Sequence, residues 1–254
     1  MAQVENDSSR WWEFYAVRYG VGAVVGALIL FLLVRENARL QHIFFVKPDE
    51  RLDVVQVAIL LGLGLVYCYV ASAPFLVLHM GRYMMPRRPV AKFSWPSKSM
   101  QRYFVAVLSV VVIFCWIIDV EIHLRVWFTL VFTCFSAIFL GQMFVVMKSY
   151  YGGGEMYRFY LKLASKREGA KGGIVDSYKH LREHGNSFGI VFMEVMLAVV
   201  LFAVNALQEV LGVEGRTSSF SVACTFTSVL LIWIFPAVLV WAVGHVFERE
   251  FVES

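Results

Sequence analysis

Six long apolar stretches, separated by short polar gaps, are the feature that most constrains how this chain of 254 residues can fold. Five of them reach the ~20 residues that a helix needs to cross about 30 Å of hydrocarbon, and the third does so if it continues to Ile122. The predicted spans are residues 14–34, 54–80, 103–122, 126–147, 189–207 and 220–246. The sequence therefore predicts an all-α integral membrane protein with six transmembrane helices.

The basic residues predict the orientation of these helices. Of the 23 Lys and Arg residues, 17 fall in the gaps on one side and 6 in the gaps on the other. Because cytoplasmic loops carry an excess of Lys and Arg, we expect both termini and the two longest loops in the cytoplasm. The expected location is a plasma or inner membrane.

Composition argues against other classes of protein. A hydrophobic fraction of 59% lies outside the usual range for soluble domains. The net charge of +4 follows from the topology, so it does not indicate nucleic-acid binding. The four cysteines occur singly, in or at the edge of the spans, and suggest neither a disulfide framework nor a thiolate metal site.

The longest hydrophilic segment, residues 148–187, is too short to build a core of its own. We therefore predict a single membrane domain over residues 1–254. Within the segment, three glycines end the fourth helix, an amphipathic helix covers residues 155–167, and another begins at Ile174. These form a short cytoplasmic helical pair between the fourth and fifth spans.

Three features predict how the helices pack. Gly22 and Gly26, four residues apart, give the first helix a small-residue face for packing inside the chain or in a homo-oligomer. The second and sixth spans are longer than the bilayer requires, and Pro74 and Pro236 are expected to kink them.

The gap between the second and third spans carries basic residues and no acidic ones. Its prolines prevent a continuous helix, so we expect a segment that lies on the membrane surface. It either serves only as a topology signal or binds anionic lipids at the cytoplasmic face. In the second case, each basic residue would contribute on the order of 1 kcal/mol of binding free energy. The basic residues are Arg82, Arg87, Arg88, Lys92, Lys98 and Arg102.

Glu194 is the clearest ionisable residue inside a span, about 8 Å below the cytoplasmic boundary. A carboxylate there is costly unless it is paired or hydrated. Arg18 lies at a similar depth in the first span, so a structural ion pair is one interpretation and an ion- or proton-handling site is the other. Asn205, near the far end of the same helix, is expected to bond to a neighbouring helix.

The string from His180 to His184 matches the H-x-x-E-H pattern, in which two helical histidines bind zinc and Glu183 activates water. Asp176 continues the stripe at a spacing of four residues, so Asp176, His180 and His184 share one helix face. Because five-residue patterns arise readily by chance, a solvated helix face is the default interpretation.

No phosphate-binding Gly-Lys motif, no GxSxG elbow and no potassium-filter-like loop occurs in the sequence. We therefore expect no catalytic residues and no cofactor. The leading hypothesis is a non-catalytic membrane component that forms a homo-oligomer or docks a partner complex, with a pore or conduit as one form. A small transporter or channel subunit that uses Glu194 is the alternative. A metal-dependent membrane enzyme with His180 and His184 is the third.

Overall fold

The computed structural model describes residues 2–44, 46, 52–84, 97–169, 174–211 and 219–253, and over these residues the chain is helical without strands. The helices are α1 (Ala2–Glu36), α2 (Ala38–Phe44), α3 (Val54–Ala71), α4 (Ala73–Met80), α5 (Lys98–Ile117), α6 (Ile122–Tyr151), α7 (Gly153–Gly169), α8 (Ile174–Val210) and α9 (Ser219–Glu253). A short 3-10 helix, Gly81–Met84, continues α4.

Within the described ranges, six segments are long and apolar enough to cross a membrane. Three of them are parts of the longer helices α1, α8 and α9, and one joins α3, α4 and the 3-10 turn. The segments are Tyr19–Glu36, Val54–Met84, Lys98–Ile117, Ile122–Tyr151, Phe188–Val210 and Ser221–His245. The predicted fold class, an all-α membrane protein with six spanning helices, is confirmed.

The third span lies differently from the prediction, because α5 begins at Lys98 and ends at Ile117 instead of running on to Ile122. Ser97 caps its start, with Oγ accepting a hydrogen bond from the Met100 N–H at 3.3 Å. Beyond its end, the Arg125 guanidinium donates to the carbonyls of Ile118 and Val120 at 3.3 and 3.2 Å. These bonds hold the turn that separates α5 from α6.

The loop after the fourth span folds as predicted. Gly152 ends α6 through an N–H bond to the Lys148 carbonyl at 2.8 Å, and α7 begins at the next residue. α8 begins at Ile174 and runs without interruption into the fifth span. The predicted helical pair thus comprises α7 and the first turns of α8, and its location on the cytoplasmic side stays a prediction.

The two prolines act differently. Ser72, two residues before Pro74, adopts a turn conformation, and this turn divides the second span into α3 and α4. Pro236 lies inside the continuous helix α9. Only the first of the two predicted kinks therefore appears as a break in the helix.

The chain divides into two compact units. The first comprises Met1–Ser72 and Gly172–Leu230, in which α1, α3 and α8 pack against one another. The second comprises Ala73–Lys171 and Leu231–Ser254, and its core contains Val77, Met80, Val146, Met156, Ala237, Val240 and Val243. The single domain expected from the sequence stays a prediction.

Candidate functional site

Glu194 is completely buried in the membrane-spanning part of α8, with 0% of its surface exposed. Among the described residues, neither of its carboxylate oxygens accepts a hydrogen bond from a nitrogen or oxygen donor. A buried polar group without a partner forfeits its hydration without compensation, which costs about 1–3 kcal/mol and more when it is charged. Such a group inside a membrane span is a functional candidate.

The carboxyl group is enclosed by the two helices that pack on α8. A Cβ atom built on Gly22 of α1 would overlap Cys68 Sγ of α3 and would lie 3.0 Å from Glu194 Oε1. The three residues therefore meet at one point, and the Cys68 thiol is the polar group that interacts with the carboxylate. A thiol is only a weak hydrogen-bond donor, so it does not replace a conventional partner.

Close packing of α1 on α3 creates this enclosure. A Cβ on Gly26 would lie 2.5 Å from the Gly64 carbonyl oxygen, and one on Gly64 would overlap the Ala23 carbonyl oxygen. The backbones therefore touch, which only residues without a side chain allow. The predicted small-residue face of α1 thus lies in a contact within the chain.

Tyr67 fixes α8 at this point. Its buried hydroxyl donates a hydrogen bond to the Glu194 backbone carbonyl at 2.7 Å. That carbonyl belongs to the helix ladder, so the bond ties α3 to α8 without using the carboxylate. Tyr67 therefore positions the Glu194 backbone and leaves its side chain available for chemistry.

Asn205 lies three turns further along α8, and both polar atoms of its side chain form hydrogen bonds. Its Oδ1 accepts from Asn37 Nδ2 at 2.6 Å, and its Nδ2 donates to Glu209 Oε1 at 3.1 Å. Asn37 Oδ1 in turn accepts from the Arg39 N–H at 3.0 Å, at the start of α2. Asn205 was predicted to bond to a neighbouring helix, and its partner Asn37 is instead the residue between α1 and α2.

The other candidate residues are only partly described. The side chain of Arg18, the proposed partner of Glu194, lies outside the described part of the chain. So do the side chains of Asp176, Glu183, His180 and His184, although all four positions belong to helix α8. The ion pair and the metal site therefore stay predictions.

The basic surface segment is described only at its ends. Arg82 lies half-buried in the 3-10 turn, and Lys98 and Arg102 lie exposed in the first turns of α5. Arg87, Arg88 and Lys92 lie outside the described residues. Binding of anionic lipids by this segment stays a prediction.

The sequence alone did not single out three residues of the Glu194 site, Gly64, Tyr67 and Cys68. By sequence, Cys68 is a small apolar residue in a span, and Tyr67 is one aromatic residue among many. A signal was nevertheless available, because Gly64 and Cys68 repeat on α3 the four-residue spacing of Gly22 and Gly26 on α1. Two matched small-residue faces on adjacent spans indicate that the spans pack together.

The helices define an all-α, multi-pass integral membrane protein, and the carboxyl group of Glu194 is buried within one of its spanning segments. Comparisons with protein families, with curated proteins and with solved structures gave no match to this chain.

Proposed function

We propose that the protein is a membrane transporter or channel subunit in which Glu194 binds and releases a proton. The observation that carries the proposal is the complete burial of a carboxyl group that, among the described residues, has only the weak thiol donor of Cys68 beside it and no nitrogen or oxygen donor. A polar group kept only for packing would be expected to form hydrogen bonds. Glu194 instead retains its capacity to exchange a proton.

A proton fits this site better than a metal ion does. Metal cations such as Ca²⁺ and Mg²⁺ need about six oxygen ligands, whereas a proton needs one carboxylate oxygen. Around the Glu194 carboxyl group the structure places the Cys68 thiol and the Gly22 backbone. Among the described residues, no group of three or more His, Cys, Asp or Glu side chains could hold a metal ion.

Proton flux into liposomes tests the proposal. The full-length protein is reconstituted with a pH-sensitive dye inside, and a potassium gradient with valinomycin sets the membrane potential. We expect flux above that of empty liposomes for the wild type and none for Glu194→Gln, because the amide cannot release a proton. The matched control is Glu209→Gln, the same change at an exposed position of α8, where the amide oxygen still accepts from Asn205.

Each result of this experiment decides the proposal. Loss of flux in Glu194→Gln with the wild-type unfolding temperature, and wild-type flux in Glu209→Gln, would support it. Equal flux in Glu194→Gln and wild type would contradict it, as would a wild-type protein no faster than empty liposomes.

A homo-oligomer or a docked partner complex is a second candidate, favoured by α5. Among the residues of α5, only Cys115 is buried, so this helix has little protein cover in a single chain. Lipid or another chain can cover the rest. The mass of the detergent-solubilised particle distinguishes them: a multiple of 29.0 kDa would support a homo-oligomer, and one chain per particle would contradict it.

A further inference from the structure

The packing of α1 against α3 leaves a small space on one side of Glu194. Gly26 faces Gly64 with backbone against backbone, and one turn away Gly22 faces Cys68, as expected for antiparallel helices. Because the backbones touch at the first pair, the second pair has room for little more than one small side chain. Cys68 of α3 supplies that side chain, and Gly22 of α1 supplies none.

The side chain in this space carries a thiol, and the thiol lies beside the carboxyl group. Cys68 and Glu194 are both completely buried, with 0% of their surfaces exposed. A Cβ atom built on Gly22 would overlap Cys68 Sγ and would lie 3.0 Å from Glu194 Oε1, so the two side chains converge on the same space. The thiol interacts with the carboxyl group there. A small apolar residue would be enough to fill the space, but it would bring no such group.

A thiol can interact with both protonation states of a carboxyl group. Its S–H group is a weak hydrogen-bond donor, and its sulfur is a weak acceptor. When Glu194 is ionised, the S–H group can donate to the carboxylate. When Glu194 is protonated, the new O–H group can donate to the sulfur, and the thiol keeps its own proton in both states. A weak partner in each state stabilises neither strongly, so the proton can be taken up and released reversibly.

The other described groups near the Glu194 carboxyl group do not take this part. The Tyr67 hydroxyl donates to the Glu194 backbone carbonyl at 2.7 Å, so it is already engaged. The side chain of Arg18, one turn before the α1 contact, lies outside the described part of the chain. On α8 itself, the buried positions one turn away are apolar, Ile190 and Ala198. Among the described side chains, the Cys68 thiol is therefore the group suited to follow the state of the carboxyl group.

We propose that Cys68 is a positioning residue for the Glu194 proton. Its thiol donates to the carboxylate and accepts from the carboxylic acid, and Gly22 leaves the space in which the two groups meet. This inference rests on the proposed function and extends it, because it names the residue that keeps the proton exchange reversible. If Cys68 served only to fill space, its S–H group would not change when Glu194 is titrated.

Infrared difference spectroscopy of the full-length protein in liposomes tests the proposal. The S–H stretching band lies apart from the other bands of a protein and shifts with hydrogen bonding, so a pH titration records it beside the carboxyl band. We expect one S–H band to shift as the carboxyl band appears, to be absent from Cys68→Ala and to stay fixed in Glu194→Gln. The matched control is Cys115→Ala, the same change at a buried cysteine of α5, which should retain the shift.

Gly22→Ala moves the thiol without removing it. The new methyl group would take the place of Cys68 Sγ, and the end of a side chain moves aside more easily than the backbone at Gly26 does, so this variant should fold. We expect its S–H bands to remain but none of them to follow the carboxyl band. Gly20→Ala, the same change on α1 in open space, should leave the wild-type shift unchanged.

Proton flux in the liposome assay gives a second readout. Cys68→Ala should lower the flux about fivefold, because the ionised Glu194 loses one weak hydrogen bond. Cys68→Ser should restore most of it, since a hydroxyl group also both donates and accepts. Cys115→Ala should keep the wild-type flux. Unfolding temperatures equal to wild type would show that the variants fold.

The two proposals fail in different ways. Absence of a carboxyl band that follows pH would contradict the proposed function and this inference with it. A carboxyl band that titrates while every S–H band stays fixed would overturn the role of Cys68 alone. Wild-type flux in a folded Cys68→Ala protein would also overturn that role and leave the role of Glu194 intact.

Discussion

Glu194 and Asn205 lie on the same helix, three turns or ~16 Å apart, and both are buried. A separation of eleven residues, at 3.6 residues per turn, is three full turns and about 20° more, so Glu194 and Asn205 lie on the same face of α8. Asn205 is part of a continuous hydrogen-bond chain that runs through Asn37 to Arg39 in the first turn of α2. Glu194 has no such bond from a nitrogen or oxygen donor among the described residues.

Under the proposed function, the difference separates a polar group that stabilises the structure from one that exchanges a proton. Asn205 joins α8 to the residue between α1 and α2 and leaves neither its carbonyl oxygen nor its amide nitrogen without a partner. The Glu194 carboxyl contributes no conventional hydrogen bond to the packing, because Tyr67 ties α3 to the α8 backbone instead. We therefore expect an apolar substitution to lower stability at Asn205 and to leave it nearly unchanged at Glu194.

The largest effect on stability is expected at the contact that encloses Glu194. In Gly26→Ala, the new methyl group would lie 2.5 Å from the Gly64 carbonyl oxygen, so the backbones of α1 and α3 must separate. Overpacking of this kind costs typically 1–3 kcal/mol, and we expect about 3 kcal/mol because backbone moves less easily than a side chain. Unfolding in mixed detergent measures it. Gly62→Ala, in open space, is the control, and equal stability of the two variants would contradict the packing.

A smaller loss is expected for Asn205→Leu, because it leaves Asn37 Nδ2 without its acceptor. Interhelical hydrogen bonds in membranes contribute about 0.6–2 kcal/mol, so we expect a loss of about 1 kcal/mol. A double-mutant cycle with Asn37→Ala should recover part of this loss. Strictly additive effects would show that the two amides do not interact.

The smallest change in stability is expected for Glu194→Met, which keeps the length of the side chain and removes the unpaired oxygens. Replacing an unsatisfied polar group with an apolar one of similar shape is close to neutral or stabilising, so we expect a change within about 0.5 kcal/mol. The same unfolding assay measures it. A loss of about 3 kcal/mol or more would instead indicate a buried ion pair, with Arg18 as the predicted partner.

The sequence was sufficient to predict the parts of the molecule that depend on local pattern. Hydropathy located the six spans. The glycines around Gly152 and the helix predicted to begin at Ile174 located the helical pair. Glu194 and Asn205 stood out because polar residues are rare in spans. The partners of these residues depend on which helices meet. Gly64 and Cys68 are more than forty residues from Gly22, and apolar periodicity carries no information about that pairing.

The end of the third span shows a second limit. Counting apolar residues favoured an extension to Ile122, whereas the helix gains its length at the other end, where Ser97 supplies a cap. The following turn is held by hydrogen bonds from Arg125, which lies beyond the turn in α6. A hydropathy window does not register such capping interactions.

The central claim is that Glu194 takes up and releases a proton inside the membrane, and infrared difference spectroscopy of the reconstituted protein during a pH titration tests it most directly. The account predicts a carboxyl C=O band that appears as the pH falls, with matching loss of a carboxylate band, and both signals absent from Glu194→Gln. The Glu209→Gln control should retain them. A difference spectrum identical in wild type and Glu194→Gln over the whole range of pH in which the protein stays folded would contradict the claim.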